Sequence, residues 1–392
     1  MTRPYTRREV LERAALGGAV LTIPGFLAAC GGDGGIEGAA TTPGGAPTIA
    51  DKTLADKLTI SNWSLYIDID EKTKKRPTLE QFTADTGVKV DYIEDVNDND
   101  EWFGKNQAAL RQGKAIGRDI TVLTDWMAAR MVRLGYVEKL DREATPNASN
   151  LVSALGSPGW DPDRSYSLPW QSGLTGIGYD PERFDGEITS LQQLLEDPKL
   201  KGKVSFLTEM PDTMGLLLRL DGADPSKVEK AAFDKGIARL QKAVDNGQIR
   251  QFTGNDYAPL LAKGDVWACT AWSGDMVQLK LDNPKLEFVI PEAGGMIWTD
   301  NMLIPKGGDV FTASTFMNYV YDPKVAAQIE AYVNYICPVD GAKEEIKAID
   351  ASLASNELIF PSEATLSQVK AFDTEAADNK DYKAAFQSVI GA

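Results

Sequence analysis

Hydrophobic and polar residues alternate with two different periods in the first part of the chain. Val88-Lys89-Val90-Asp91-Tyr92-Ile93 approximates the repeat of two that is typical of a strand with one buried face. Ahead of it, Leu79 and Phe82 share one face of a segment that stops at Gly87, as a helix would. The same signals predict strands over residues 58–60, 88–93 and 119–123 and helices over 78–86 and 102–112. This order of elements favours an α/β sheet covered by helices.

Two further blocks follow. The block after Gly173 predicts helices over 191–196, 214–220 and 226–244 and strands over 266–271 and 286–290. The third block starts near Asp300, where Asp322-Pro323 is an N-cap and first-turn pair that opens a helix running towards Tyr335. A length of 392 residues favours two domains.

The N-terminal segment has the features of an export signal. Arg7-Arg8 precedes an uncharged stretch over 14–29, and Leu27-Ala28-Ala29-Cys30 follows. The stretch is shorter than the roughly 20 residues of a transmembrane helix and suits a signal peptide. The pattern resembles a twin-arginine signal that ends in a lipobox, which implies lipid attachment to Cys30. A plain anchor helix with an incidental cysteine is the alternative.

The expected organisation is a signal peptide over 1–29 and a flexible tether, rich in Gly, Ala and Thr, over 30–56. The product would be an exported protein, held by its lipid on the outer face of the cell membrane or in the periplasm.

Composition excludes several classes of function. The formal net charge of −16 disfavours nucleic acid and anionic membrane and favours cationic ligands. The chain has no histidine, which removes Ser-His-Asp catalysis and histidine metal sites. Cys30, Cys269 and Cys337 are too few for a structural zinc site, and there is no P-loop. We therefore expect no metal, cofactor or enzymatic activity, although a secreted hydrolase with two carboxylates remains an alternative.

Aromatic residues cluster at the ends of predicted elements and could converge on one cleft, because ligands bind at the carboxyl ends of strands in α/β sheets. These residues are Trp63, Tyr66, Trp126, Trp170, Trp272, Trp298 and Tyr335. Trp298 and Asp300 would point to the same side of an extended segment. A carboxylate beside an indole face suits an alkylammonium group.

Several sequence landmarks occur in an order shared with one family. They are Asn62-Trp63-Ser64-Leu65-Tyr66, Phe82-Thr83-Ala84-Asp85-Thr86-Gly87, Asp119 through Trp126, Tyr166-Ser167-Leu168-Pro169-Trp170 leading to Gly176-Ile177-Gly178, Ala271-Trp272-Ser273-Gly274, Pro291-Glu292-Ala293-Gly294-Gly295, Trp298 with Asp300, Ile304-Pro305, and Tyr335 with Pro338. Over nearly all of residues 58–387 the chain resembles the polyamine-binding (spermidine/putrescine) proteins of ABC transporters.

The resemblance implies a two-lobed periplasmic-binding-protein fold of type II, with the ligand in a cleft between lobes that close over it. Lobe 1 would comprise 57–172 and 300–342, and lobe 2 would comprise 173–299 and 343–392. The implied partners are a small cationic ligand, a polyamine, and the permease subunits of an importer, and the protein would be a monomer. Another small cation or zwitterion, such as a quaternary ammonium compound, is the alternative ligand.

The resemblance also implies a role for each cleft residue. Trp63 and Tyr66 would form one wall, and Thr124 and Trp126 would lie near one ligand end. Three further residues complete the implied site: Trp272 and Trp298 sandwich the methylene chain, Asp300 pairs an amine, and Tyr335 closes the aromatic box.

The family's second acidic pair has no direct match. The matching positions are Met210 and Thr213, and the acidic residues Glu209 and Asp212 lie one place away. Either the loop register differs and Glu209 or Asp212 takes the role, or the second amine site is missing. Asp125 could supply a substitute charge.

Two cysteines remain once Cys30 is lipidated, in a compartment where disulfides persist. The resemblance places Cys269 and Cys337 near the cleft. They either pair and tie two blocks together or remain as two buried free thiols.

The export signal can be tested with Cys30→Ala, which removes the thiol that accepts the lipid. We expect the variant to be released into the medium or left unprocessed, as seen by fractionation and intact mass. Normal processing with full membrane retention would contradict the lipobox.

Overall fold

The computed structural model describes residues 52–70, 72–96 and 98–391. The predicted signal peptide, the lipobox with Cys30 and the tether up to residue 51 lie outside the described residues. In the part that is described, no helix has the length and apolar character needed to cross a bilayer.

Within these described ranges, ten strands form one mixed sheet. They are β1 Lys57–Trp63, β2 Lys89–Val96, β3 Ile120–Thr124, β4 Ser167–Tyr179, β5 Val204–Leu207, β6 Ile249–Thr253, β7 Ala268–Trp272, β8 Glu287–Val289, β9 Gly295–Leu303 and β10 Val369–Lys370.

Helices cover the sheet. They are α1 Pro77–Thr86, α2 Asn99–Arg111, α3 Asp125–Arg133, α4 Pro181–Phe184, α5 Leu191–Glu196, α6 Met210–Leu220, α7 Lys230–Asp245, α8 Tyr257–Lys263, α9 Ser273–Asp282, α10 Val310–Val320, α11 Pro323–Val333, α12 Ala342–Ile349, α13 Ala351–Ala354, α14 Glu363–Ser367, α15 Thr374–Ala377 and α16 Lys380–Ile390.

The strand order is β2-β1-β3-β9-β4-β7-β5-β6, with β8 paired to β4 and β10 paired to β9. Strands β1 to β3 are parallel to one another, and so are β5 to β7. Between these two groups, β9 and β4 run antiparallel to each other, β9 runs antiparallel to β3, and β4 runs antiparallel to β7. The two parallel groups with their helices are lobe 1 and lobe 2, and β4 and β9 belong to both.

Strand β4 is the longest element of the sheet, and all 13 of its residues are buried. Its pairing with β9 runs from Ser167 to Thr175, and its pairing with β7 runs from Thr175 to Tyr179. The hydrophobic pattern did not predict this strand, because a strand covered on both faces has no alternation of polar and apolar positions.

Each lobe has its own hydrophobic core. The core of lobe 1 contains Ile60 and Phe316, and that of lobe 2 contains Phe206 and Phe233. Ile346 and Ala354 pack in the core of lobe 1. The prediction that residues 343–354 belong to lobe 2 is therefore wrong, because helices α12 and α13 pack with the lobe 1 core.

Local signals placed several helix ends well. Helix α1 ends at Gly87, whose φ of 80° lies in the left-handed region that glycine adopts without strain. Helix α11 starts at Pro323, and the Asp322 carboxylate accepts from the backbone N–H of Lys324. Helix α7 begins four residues later than predicted, because the carboxylate of Asp224 folds the chain into a turn by accepting from Ser226.

The proposed bond between Cys269 and Cys337 is absent, and both thiols are free and buried. The Cys269 thiol donates to the Gly178 carbonyl at 3.6 Å within one cluster of lobe 2. Cys337 lies in the core of lobe 1, where its thiol donates to the Val339 carbonyl at 3.9 Å. The two sulfur atoms therefore occupy different cores, and burial raises the pKa of each thiol.

The C-terminal helix should be essential for the stability of lobe 2. Phe386 is 2% exposed, and Phe386→Ala should lower the free energy of unfolding by about 3–5 kcal/mol, because it leaves a cavity in the core. Urea denaturation measures the loss. Gln387→Ala, on the exposed face of the same helix, is the matched control and should stay within about 0.5 kcal/mol of wild type. Equal stability of the two variants would contradict the packing.

Candidate functional site

A cleft of about 620 Å³ lies between the lobes. Trp63, Thr124 and Trp272 are the last residues of strands β1, β3 and β7. The carboxyl ends of these strands therefore face the cleft, as expected for an α/β sheet. All eight residues predicted to contact the ligand line it: Trp63, Tyr66, Thr124, Trp126, Trp272, Trp298, Asp300 and Tyr335. Trp170 does not belong to this lining, since its buried indole Nε1 donates to the Tyr66 carbonyl at 3.0 Å.

Asp300 is held at the floor of the cleft by two hydroxyl groups. The Tyr66 hydroxyl donates to Oδ2 at 2.9 Å, and the Thr124 hydroxyl donates to Oδ1 at 2.7 Å. Burial raises the pKa of Asp300 from 3.8 to about 7, and the two donors offset only part of that rise. The nearby carboxylates of Asp125 and Asp212 add to it.

Asp125 is not a free substitute charge. Its Oδ2 accepts from the backbone N–H of Thr299 at 3.1 Å, and its Oδ1 accepts from the Asn301 amide at 2.9 Å. Arg164 donates to the amide oxygen of Asn301 at 2.8 Å and completes this network. Burial raises the pKa of Asp125 to about 6. The carboxylate therefore fixes helix α3 to strand β9, although Asp125 is also part of the cleft lining.

The cleft aromatics form a continuous chain of ring contacts. Tyr66 and Tyr335 have ring centroids 5.7 Å apart at 89°, and Tyr335 and Trp298 have centroids 5.5 Å apart at 58°. Trp298 meets Trp272 at 6.4 Å and 76°. The two indoles therefore form a corner at one side of the cleft. Edge-to-face contact is the favoured arrangement of neighbouring rings.

Two glycines make room for these rings. A Cβ atom at Gly173 would overlap the Trp298 indole, and one at Gly274 would overlap the Tyr335 ring. Gly173 lies on strand β4 and Gly274 in the first turn of helix α9. The rings therefore pack directly on backbone, which fixes how far each one reaches into the cleft.

At the start of helix α6, the side chains that face the cleft are acidic, and each lies one position away from the matching position of the family pattern. Glu209 and Asp212 line the cleft. Met210 packs in the core of lobe 2, and the Thr213 hydroxyl donates to the Leu207 carbonyl at 2.7 Å. Met210 and Thr213 are thus directed into the protein, whereas their acidic neighbours Glu209 and Asp212 face the cleft.

Asp212 is tied to the aromatic chain. Its carboxylate accepts from the Trp272 indole Nε1 at 3.1 Å and from the Thr175 hydroxyl. Burial raises its pKa to about 6. Within the described residues, the Glu209 carboxylate has no protein hydrogen-bond donor, and part of the side chain stays open to the cleft. Burial raises the pKa of Glu209 well above its usual range, and the nearby Asp98 carboxylate adds to this rise.

Asp275 is a cleft carboxylate that the sequence analysis missed. Its Oδ1 accepts from the Tyr335 hydroxyl at 3.0 Å, and its Oδ2 accepts from the Tyr257 hydroxyl at 2.9 Å and the Asn255 amide at 3.2 Å. It lies in the first turn of helix α9, directly after strand β7. An acidic residue three places beyond Trp272 could have been found by the rule that placed Trp272 itself.

The cleft is strongly acidic. Among the described residues that line it, eight carry a carboxyl group and none is lysine or arginine. The eight are Asp98, Asp125, Glu209, Asp212, Asp256, Asp275, Asp282 and Asp300. Burying several carboxyl groups without a basic partner is unfavourable, and a cation with an apolar stem would relieve that cost.

A mixed sheet shared by two lobes, with a deep cleft between them, is the architecture of a two-lobed solute-binding protein. The model of the family "Bacterial extracellular solute-binding protein" matches residues 78–360, and the chain belongs to this family.

Relatives and solved structures agree with this assignment. The chain is 24% identical over 314 residues to the spermidine/putrescine-binding periplasmic protein of Salmonella typhimurium, covering 80% of this chain and 85% of that one. It is 27% identical over 337 residues to the putrescine-binding periplasmic protein SpuD of Pseudomonas aeruginosa, covering 80% and 86%. A putative spermidine/putrescine ABC transporter from Listeria monocytogenes superposes with a TM-score of 0.73 and 27% identity, covering 86% and 98%.

The raised pKa of Asp300 predicts a pH-dependent stability of the unliganded protein. The folded state holds this proton up to about pH 7, whereas the unfolded state releases it near pH 4. Stability contributed by this group therefore falls as the pH rises from about 4 to about 7. The Asp300→Asn variant has no ionisable group at this position, so its stability does not fall in this way. Above pH 7 its free energy of unfolding should exceed that of wild type by an amount on the order of 2–4 kcal/mol.

Urea denaturation of wild type and variant at pH 5, 6, 7 and 8 measures the difference, in which groups common to both cancel. Asp256→Asn, at an exposed position on the cleft rim, is the control and should differ little from wild type at any pH. An Asp300→Asn protein that is no more stable than wild type at pH 8 would contradict the unfavourable burial of this carboxylate.

Proposed function

We propose that this protein captures a polyamine of the spermidine/putrescine class and delivers it to the permease of an ABC importer. The observation that carries the proposal is the cleft lining of eight carboxyl groups with no lysine or arginine among the described lining residues. Membership of the solute-binding family and the names of the relatives support it.

Three of the carboxylates suit a ligand with several amines. Asp300, Asp212 and Asp275 each accept a hydrogen bond from an aromatic residue of the ring chain: Tyr66, Trp272 and Tyr335 respectively. A polyamine repeats the same pattern, with charged nitrogens separated by apolar methylene groups. The rings would pack on the methylene segments while the carboxylates pair with the ammonium groups.

A single quaternary ammonium group is the second candidate ligand, because four aromatic rings can surround one cation. One such group would pair with one carboxylate and leave the other cleft carboxyl groups without a cationic partner. A panel of putrescine, spermidine, spermine, choline, betaine and amino acids in thermal-shift and calorimetric titrations separates the candidates. We expect the polyamines to bind, and binding of choline or betaine alone would favour the second candidate.

The proposal extends to export and organisation. The twin arginine and the lipobox support export as a lipoprotein anchored through Cys30 by a tether over 30–56. Lobe 1 would comprise 57–172 and 300–354, and the protein would act as a monomer. Closure of the lobes over the ligand would exclude water and strengthen each charge pair.

Asp300→Asn should weaken polyamine binding about 30- to 1000-fold, since it keeps the shape and leaves an ammonium group poorly paired in a closed cleft. Trp298→Ala should lose less binding free energy, about 1–3 kcal/mol, because one ring contact with the ligand is removed.

Asp275→Asn and Glu209→Gln test the other ligand positions. The variant that weakens spermidine binding more than putrescine binding identifies the carboxylate that pairs with an inner or distal amine.

Calorimetry at pH 8 measures these affinities. Asp265→Asn is the matched control, since it removes the same charge from an exposed position outside the cleft lining and should change affinity less than about threefold. Wild-type affinity in Asp300→Asn would mean that the ligand is not a cation bound at this carboxylate.

A further inference from the structure

The C-terminal segment over 369–391 is built into lobe 2. Strand β10 pairs with Gly295 and Met296 of β9, and Lys370 forms an ion pair with Asp224 at 2.7 Å. In helix α16, the Tyr382 ring stacks on Phe233 with centroids 4.1 Å apart. These contacts fasten the segment to lobe 2.

The opposite face of the same segment contacts lobe 1 through charges. Asp378 forms ion pairs with Arg130, at 3.2 Å, and with Arg133. The Lys383 ammonium donates to both oxygens of Asp100, at 2.8 and 2.7 Å. The side chains of Asp378 and Lys383 are only 20% and 19% exposed, so this cluster is partly shielded from solvent.

This ion-pair cluster lies at the edge of the ligand cleft. The Lys383 ammonium is 4.5 Å from the centre of the Trp126 ring, and Trp126 lines the cleft. Ala377 packs in the same hydrophobic cluster as Trp126. Phe372, from the same segment, also lines the cleft. The start of the segment thus contributes Phe372 to the cleft lining, and its later part contacts Trp126 of lobe 1 through Lys383.

Like charges face each other across the same edge. Asp98 and Asp100 of lobe 1 both raise the pKa of Glu209 in lobe 2, so these carboxyl groups repel one another across the cleft. The Lys383 and Arg130 cations beside Asp100 offset part of this repulsion. Because the ion pairs join two lobes, their free energy acts on the equilibrium between open and closed forms rather than on either lobe alone.

We propose that Lys383 and Asp378 are positioning residues for ligand binding. They hold lobe 1 against the C-terminal segment in the lobe arrangement seen in the structure and keep the Trp126 ring at the cleft edge. They contact the ligand-binding residues and not the ligand. The consequence for affinity rests on the proposed function, whereas the consequence for the lobe arrangement does not.

The test combines Lys383→Met with Asp378→Asn, which removes all of these pairs at nearly constant shape. Spermidine binding should weaken about five- to tenfold, because partly exposed ion pairs each change an equilibrium by a few fold. The loss should appear as faster dissociation with little change in association, measured by stopped-flow tryptophan fluorescence. Lys383→Arg keeps the charge and the ring contact and should retain near wild-type affinity.

Lys380→Met is the matched control, since it removes the same charge from an exposed position on the same helix. It should bind within about twofold of wild type. Melting curves of all variants establish that each is folded.

Small-angle X-ray scattering of the empty protein provides a readout that needs no ligand. The double variant should have a larger radius of gyration than wild type, and Lys380→Met should not. If wild type binds no polyamine, the proposed function fails and the scattering result still decides the positioning role. A double variant with wild-type radius of gyration, and with wild-type affinity where wild type binds, would overturn the proposal.

Discussion

The desolvation of carboxyl groups in the cleft is the constraint on which the site depends. Asp300 is buried, and two hydroxyl groups compensate for part of the water it has lost. Burial in a medium of low polarity favours the neutral form of such a group, and the raised pKa expresses this cost. A cation that enters must displace the proton or find the carboxylate already ionised. The same free energy that destabilises the empty protein thus becomes available for binding.

The aromatic chain makes that free energy selective. Rings from Tyr66 to Trp272 line the cleft beside the carboxylates and add apolar surface, so that a compact hydrated ion would gain less than an alkylammonium chain. The Trp298 and Tyr335 rings fit in these positions because Gly173 and Gly274 have no Cβ atom. The donors on these rings also fix the orientation of Asp212 and Asp275. Polar and apolar recognition therefore depend on the same few side chains.

Local rules predicted what is decided locally. The glycine after α1, the Asp322-Pro323 start of α11 and the residues at strand ends all carry their own signal, and the structure places them as expected. Strand β4 escaped prediction because burial on both faces removes the alternating pattern on which strand prediction relies.

Features decided by distant packing could not be predicted in this way. Whether Cys269 meets Cys337 depends on how two cores are placed, and the structure puts them in different clusters. The register that turns Glu209 towards the cleft and Met210 into the core is set by where helix α6 begins. The family resemblance supplied the order of the cleft residues, and the shifted loop lies where this sequence departs from the family pattern.

The two strands shared by the lobes have a mechanical consequence. A rotation of one lobe against the other must be taken up in β4 and β9, since both strands continue into each lobe. Their pairing shifts register between Pro169 and Gln171, and a proline without an N–H group at an irregularity locally bends and twists a strand. A bent pair of strands that is joined by hydrogen bonds resists further bending. The sheet should therefore oppose rotation of the lobes away from the angle at which these strands are bent, in addition to any contact between the lobes.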